Sequence, residues 1–290
     1  MKDLAQLLVS GVAVGAIYGL VALGFVLVYK ATETINFAQG DLLMLGAFVA
    51  FSLIVSHHVP FWIGLVLAIL IMMVFGYGLD AIVLRKALGR PQFAVVMLTI
   101  GLGAILRSAA SMTWGAETRQ LPTPYGIGKT SLGDITIADV SLVIIGGTAV
   151  LCLVLYLFFR RTRLGIAMQG ASQNQLAAYY MGIPVKRVFS LVWAISAGVS
   201  AFAGVLLAPV ALINIGMGDV AIKAFSAAVI GGFGSIPGCV LGGLTIGVIE
   251  QLAGSYLGPG VKDVVAQAIL LTVLVVWPRG LIRQGVGKRV

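Results

Sequence analysis

Arg160-Arg161-Thr162-Arg163-Leu164-Gly165-Ile166-Ala167-Met168-Gln169-Gly170-Ala171-Ser172-Gln173-Asn174-Gln175-Leu176-Ala177-Ala178-Tyr179-Tyr180-Met181-Gly182-Ile183-Pro184-Val185-Lys186-Arg187 is a polar island between two apolar runs, each long enough to cross a bilayer. Five basic residues and no acidic one bracket its short helix-forming centre. Gly182 is suited to end that helix, and Pro184 stops it continuing. A chain this apolar needs no polar helix as a mere connector. Two readings stand side by side. The helix docks onto a soluble partner and carries force into the membrane, or it lies on lipid headgroups as an interfacial amphipathic helix. Composition alone leaves both open.

The rest of the chain has the same character as the flanking runs. Of 290 residues, 60% are hydrophobic and 10% charged, and the mean hydropathy is +1.07. A soluble domain carries roughly 25% charged residues. So few charges cannot cover a water-facing surface, and lipid must be the solvent for most of this protein. In lipid, a spanning segment satisfies its own backbone hydrogen bonds as a helix or within a closed barrel. The apolar runs are about 20 residues long and uninterrupted, which selects helices over alternating strands of about 10. The fold class is therefore an all-α polytopic membrane protein. A formal charge of +9 raises the question of nucleic acid. The basic residues form short clusters between apolar runs and no aromatic-interleaved patch, so no nucleic-acid partner is expected. Cys152 and Cys239 each lie inside an apolar run without ligands nearby and read as small packing residues. His57-His58 reads as an interfacial pair at the end of a span, and no metal site is expected. The apolar run Leu4–Tyr29 is much longer than a signal-peptide core, and no small-x-small cleavage site follows it, so it is expected to remain as the first span.

Further spans are expected at about Ile35–Ser56, Pro60–Leu84, Phe93–Trp114, Val140–Phe159, Val188–Ile213, Ile236–Leu257 and Val264–Trp277. Residues 1–290 form one transmembrane domain, with the polar segment at 160–187 and an external loop at 115–139. With the first residue outside, Lys30, Arg85, Lys86, Arg90, Arg160, Arg161, Arg163, Lys186, Arg187, Arg279, Arg283, Lys288 and Arg289 fall in the cytoplasm. Only Lys2, Arg119, Lys129 and Lys262 fall outside. The positive-inside rule then places the polar segment and the C-terminus in the cytoplasm. The piece Val220–Phe233 is too short, since 14 residues reach about 21 Å of a roughly 30 Å core. If it failed to cross, the basic tail would invert. It is therefore expected to cross as a short or broken helix lining a cavity, for eight or nine crossings in all.

Thirty-eight glycines supply close packing. Gly11, Gly15, Gly19 and Gly24 have the same 4-4-5 spacing as Gly234, Gly238, Gly242 and Gly247. Ordinary helix packing explains such stripes, and an inverted repeat is the other reading. Gly128-Lys129-Thr130 looks like the end of a phosphate loop, but Thr123 stands where the first glycine belongs, and no strand and helix are expected to flank it. ATP binding by this chain is rejected, and no nucleophile triad or metal cluster stands out, so the chain is not read as an enzyme. Asp80, Arg107, Lys223 and Glu250 lie at membrane depth and must face a cavity or one another. Glu250 is either a pathway or proton site, or half of an interhelical hydrogen bond. Asn36, Gln39 and Asp41 begin the second span, where Asn36 is placed to cap the helix with Gln39 at the third position. Asn36, Gln39, Asp41, Lys223, Ser226 and Glu250 are the candidate pathway or gating residues.

Asn36-Phe37-Ala38-Gln39-Gly40 resembles the Asn-Phe-small-His/Gln-Gly signature of the LivH-type permease of branched-chain amino acid ABC importers. The likeness covers essentially the whole chain. Met181-Gly182-Ile183 is similar to the end of that family's cytoplasmic helix. Lys223-Ala224-Phe225-Ser226-Ala227-Ala228-Val229-Ile230-Gly231-Gly232-Phe233-Gly234-Ser235-Ile236-Pro237-Gly238 is similar to its longest motif, followed by Lys262-Asp263-Val264-Val265 and Pro278-Arg279-Gly280. One departure bears on pairing with an ATPase: Gln169 and Gln173 stand where the family usually has an arginine and then an acidic residue.

The resemblance implies a heterodimer with a second permease of the family. It also implies two ATPase subunits that bind ATP and Mg, and a periplasmic or extracellular substrate-binding protein. This chain itself would hold no cofactor and sit in the bacterial cytoplasmic membrane. ATPase coupling would fall to Ser172, Gln173, Asn174, Ala177, Ala178, Gly182 and Ile183. Leucine-like amino acids are the family's usual substrates, while relatives handle other amino acids, urea and small amides. Two classes beside this one remain open from the residues: an ion-coupled secondary transporter that titrates Glu250, and a channel.

Overall fold

The structure, a computed structural model, describes residues 2–87, 90–125, 128–132, 135–258 and 260–276. Trp277, Pro278-Arg279-Gly280 and the basic tail residues Arg279, Arg283, Lys288 and Arg289 lie outside the described residues. Apolar chain closes its backbone hydrogen bonds on itself, here mostly as helix. In order these are α1 (Lys2–Thr32), α2 (Gln39–Phe51, continued by a π-helical stretch Ser52–Ser56), α3 (Phe61–Ile82) and α4 (Gln92–Trp114). A ribbon of β1 (Lys129–Leu132) and β2 (Ile135–Ala138) leads into α5 (Asp139–Arg161). Then come α6 (Arg163–Gln173), α7 (Gln175–Tyr180), α8 (Val185–Ala211), α9 (Val220–Gly231), α10 (Ile236–Tyr256) and α11 (Val261–Val276).

Among the described residues, seven helices are long and apolar enough to cross a membrane: α1, α2 with its π extension, α3, α4, α5, α8 and α10. The centre is α1, α2 and α8, with 89%, 67% and 83% of their most apolar stretches buried, against 22% for α5 and 28% for α3 and α4. The outer helices turn Trp62, Val74, Phe93, Met112 and Val150 away from the bundle, as lipid-facing helices do. The end of the bundle carrying 160–187, with Arg160, Arg161, Arg163, Lys186 and Arg187, is its basic end.

The two glycine stripes have a direct packing cause. A Cβ on Gly15 would lie 2.7 Å from the Leu244 Cα, and one on Gly247 would lie 2.3 Å from the Gly15 Cα. So α1 and α10 run antiparallel with backbones in contact. Gly238 and Gly242, on another face of α10, take Gly231 and Ala227 of α9 at similar range. Dispersion at this separation is the attraction available to helices in lipid.

Two passes depart from simple helices. The second was expected to be helical from Ile35, but α2 begins at Gln39, and residues 33–38 enter the bundle as non-helical chain. The short piece near residue 220 does traverse. Ile213 pairs with Arg119 at the far end, each N–H 2.8 Å from the other's carbonyl. A 3₁₀ turn at Ile215–Asp219 leads into α9, and Phe233 beyond it packs on Tyr29 at the basic end, ring centres 4.9 Å apart. With 12 and 16 residues, α9 and α11 reach about 18 and 24 Å, less than a bilayer core. They are two shorter helices packed against each other and against α10.

The loop at 115–139 holds more order than its composition suggested, because β1 and β2 pair antiparallel from Lys129↔Ala138 to Leu132↔Ile135. Lys129 therefore opens a strand, and no helix follows the glycine-lysine-threonine run, as a phosphate loop requires.

Candidate functional site

Gln39 organises the interior. Its Nε2 donates to Ser200 Oγ at 2.6 Å, and its Oε1 accepts from Asn36 Nδ2 at 3.1 Å. Ser196 Oγ lies 3.1 Å from the same Oε1 and 3.0 Å from the Gly24 carbonyl. Asn36, Gln39, Ser196 and Ser200 are each fully buried. Ser196 is eleven residues into α8, about 16 Å from the basic end and so near mid-bundle. Asn36 does not cap α2 as the sequence suggested. Its Oδ1 accepts from Ala38 N at 3.0 Å, a local turn that competes with helix and delays the start to Gln39. The non-helical entry is tolerated because these polar groups are satisfied inside protein.

At the same depth the N-terminus of α9 meets that of α2. A Cβ on Gly40 would lie 2.1 Å from the Gly218 carbonyl oxygen, so two chain segments touch there. Beside this contact lies a cavity of about 490 Å³, lined by Asp41, Arg107, Asp219, Phe37, Ile222 and Phe225 among others. Arg107 Nε is 3.1 Å from Asp41 Oδ1, and its Nη2 is 3.5 Å from Asp219 Oδ1. Arg107 thus links α2, α4 and the start of α9 across the cavity. On the side towards the basic end, Phe225 packs with Phe37 and Phe25 at 5.7 and 5.8 Å, and with Phe233 at 5.5 Å.

The remaining deep charges pair away from this cavity. Lys223 Nζ is 2.7 Å from Glu250 Oε1, and Tyr18 Oη donates to Glu250 Oε2 at 2.8 Å. That arrangement is the interhelical contact among the two readings of Glu250. Ser190 Oγ donates to Asp80 Oδ2 at 2.6 Å and accepts from Arg85 Nη2 at 2.5 Å. Ser226 is fully buried and bonds back to its own helix, its Oγ donating to the Ile222 carbonyl at 3.2 Å. No group of three or more potential metal ligands occurs among the described residues.

The polar segment is two helices, not the single one expected. Thr162 Oγ1 caps α6 by accepting from Gly165 N at 3.0 Å. Asn174 takes an extended conformation and caps α7, its Oδ1 accepting from Ala177 N at 2.9 Å. An Asn side chain that satisfies an orphan N–H makes a break there cheap. Gly182, at φ +81°, closes α7 as expected, with Gly182 N bonded to the Tyr179 carbonyl and Ile183 N to that of Ala178, both at 3.0 Å. Gln175 Nε2 reaches the Ala31 carbonyl at the end of α1, and Gln169 Nε2 reaches the Phe159 carbonyl at the end of α5, at 3.4 and 3.1 Å. The tip is apolar and open: Leu176, Tyr179, Tyr180 and Met181 are 67–83% exposed.

Residues 7–274 match the family model described as "Branched-chain amino acid transport system / permease component". The chain belongs to that family. The permease is 34% identical over 291 residues to the "High-affinity branched-chain amino acid transport system permease protein LivH" of Salmonella typhimurium, covering 96% of this chain and 94% of the relative. Against the corresponding protein BraD of Pseudomonas aeruginosa the identity is 33%, covering 96% and 95%. Among solved structures, PsaBC from Streptococcus pneumoniae in complex with Fab shares the fold, with TM-score 0.50, 18% identity and coverage of 96% and 93%. Family members are permease components and not enzymes.

The permease thus brings together only part of what its sequence singled out. Asn36, Gln39 and Asp41 do meet at mid-bundle. Lys223 and Glu250 meet each other but not the cavity, and Ser226 meets neither. In the polar segment, Gln173, Asn174, Ala177 and Gly182 are exposed, Ser172 and Ile183 half-buried, and Ala178 buried against the protein. Sequence reasoning missed Asp219, Ser196 and Ser200. Asp219 carried one legible signal, an acid just before a short helix in apolar surroundings. The two serines carried none, because small hydroxyls are ordinary within transmembrane helices.

Proposed function

We propose that this chain is a transmembrane permease subunit of an ATP-binding-cassette importer for branched-chain or related amino acids. It pairs with a second permease of the same family to form the pathway. Two ATPase subunits, holding ATP and Mg, dock on 160–187, and a periplasmic or extracellular binding protein delivers substrate at the other end. The polar segment then faces the cytoplasm of a bacterium, with the N-terminus outside and the C-terminus inside, as the basic clusters require.

The observation that carries docking is the exposed tip formed by Leu176, Tyr179, Tyr180 and Met181, flanked by Lys186 and Arg187. A helix lying on headgroups turns its apolar side towards lipid beside the bundle. This tip instead adjoins a recess of about 650 Å³ between α7 and the start of α8, lined by Arg85, Gln175, Leu176 and Tyr179 among others. A partner helix or loop seated there would grip α7. Force on α7 reaches α1 through Gln175 and the Ala31 carbonyl, and α8 is the next helix in the chain. Those two central helices hold Gln39 through Gly24, Ser196 and Ser200, so movement at the basic end reorients the start of α2 beside the cavity. ATP biases the pathway only through contacts that differ between its two states.

The test is co-purification with the products of neighbouring genes, followed by substrate-stimulated ATPase activity in liposomes. Branched-chain amino acids should stimulate hydrolysis several-fold and accumulate inside only with ATP. Accumulation driven by a proton gradient without ATP defeats the proposal.

A further inference from the structure

We propose that the cavity between α2, α4 and α9 is a binding site for the zwitterionic head of an α-amino acid, with the apolar side chain against Phe37, Ile222 and Phe225. The inference rests on the amino-acid importer reading above and adds the site and the chemistry of recognition. At about 490 Å³ the cavity falls within the roughly 300–1,000 Å³ of small-ligand sites.

The charges select the ligand. Two carboxylates and one guanidinium meet there, with Arg107 between Asp41 and Asp219. A lone cation would face Arg107, and a lone anion would face two carboxylates, so each meets repulsion along with attraction. A neutral amide has no charge to exchange for either ion pair. A ligand carrying both signs replaces each contact it breaks: its ammonium takes a carboxylate and its carboxylate takes the guanidinium. Asp219 is the group free to move, since its side chain is 65% exposed while that of Asp41 is 8% exposed. The N-termini of α2 and α9 add positive dipole ends on the side where a carboxylate would lie. Below them the Phe37–Phe225–Phe25 cluster offers an apolar floor and no hydrogen-bonding side chain. A branched aliphatic side chain fits that floor, and a charged one does not. Ile100 and Ile222 are exposed at the rim, so the cavity opens sideways between α4 and α9.

The experiment uses the assembled transporter in proteoliposomes containing ATP, with saturating binding protein and radiolabelled leucine or alanine. Asp219→Asn and Arg107→Gln should each lower uptake of both amino acids tenfold or more. Ala104→Leu, which fills the cavity from α4, should lower the ratio of leucine to alanine uptake at least tenfold. A purely structural role moves both amino acids together and leaves that ratio alone. An unchanged ratio in Ala104→Leu, or wild-type uptake in either charge variant, overturns the assignment. A wild-type transporter that moves no amino acid is a separate result, which defeats the proposed function itself.

Discussion

Gly40 and Gly218 pack backbone to backbone at mid-bundle: a methyl on Gly40 would sit 2.1 Å from the Gly218 carbonyl oxygen and 2.8 Å from the Ala221 Cβ. That contact places the starts of α2 and α9 side by side at the cavity. Gly40→Ala forces them apart and should cost about 1–3 kcal/mol, the usual penalty for overpacking. Uptake should fall further than stability, because the cavity walls shift. Gly78, on α3, has nothing within 4 Å of an added Cβ, so Gly78→Ala should change stability by less than about 1 kcal/mol. Thermal unfolding of the two variants in detergent, beside uptake, checks the contrast. Equal behaviour of the pair refutes it.

The Lys223–Glu250 pair is a structural clasp between α9 and α10. The side chains are 18% and 8% exposed and 2.7 Å apart. Glu250→Leu takes the carboxylate away from a buried ammonium and should cost about 3–5 kcal/mol, whereas Lys223→Met with Glu250→Leu should recover most of that loss. Unfolding of the single and double variants measures it. If Glu250 were instead a proton carrier, the stable double variant would lose transport entirely.

Gln39 is held by Asn36 of the entry segment and by Ser196 and Ser200 of α8. Gln39→Leu keeps the volume but strips partners from Asn36, Ser196 and Ser200, at about 1–3 kcal/mol for each group left unsatisfied. Leu at this site should also disconnect α8 from the start of α2. Hydrolysis by the ATPases should survive while uptake falls, a split visible as a rise in ATP consumed per amino acid moved. A constant ratio contradicts the role.

Ala178 is buried against the protein, so a partner seated on α7 would not touch its side chain. Its N–H bonds the Asn174 carbonyl at 3.0 Å. Ala178→Pro removes that bond and clashes with the preceding turn, about 3 kcal/mol against α7. It should uncouple hydrolysis from uptake, as should charge reversal at Lys186 and Arg187. Asn174→Ala removes only the cap, about 1 kcal/mol, and should reduce coupling partially. Normal uptake in the proline variant counts heavily against the docking proposal.

Local chemistry made much of this legible in advance. The seven long helices follow from uninterrupted apolar length, since lipid leaves the backbone no other partner. The end of α7 at Gly182 and the close-packing role of the stripes were readable for the same reason: each depends on one residue type in one local geometry. The start of α2 was not. Asn36 and Gln39 fit a capping pattern, and the choice between cap and turn depended on Gly24, Ser196 and Ser200, which come from two other helices.

The sequence by itself determined a helical protein in lipid with a polar segment between its fifth and sixth long helices, because hydropathy and charge act along the chain. Tertiary structure alone decided which charges face one another. Glu250 turned to Lys223 and Tyr18, while Asp41 found Arg107 and Asp219, residues distant in sequence. Pairing energies depend on distance in space and take no account of separation along the chain.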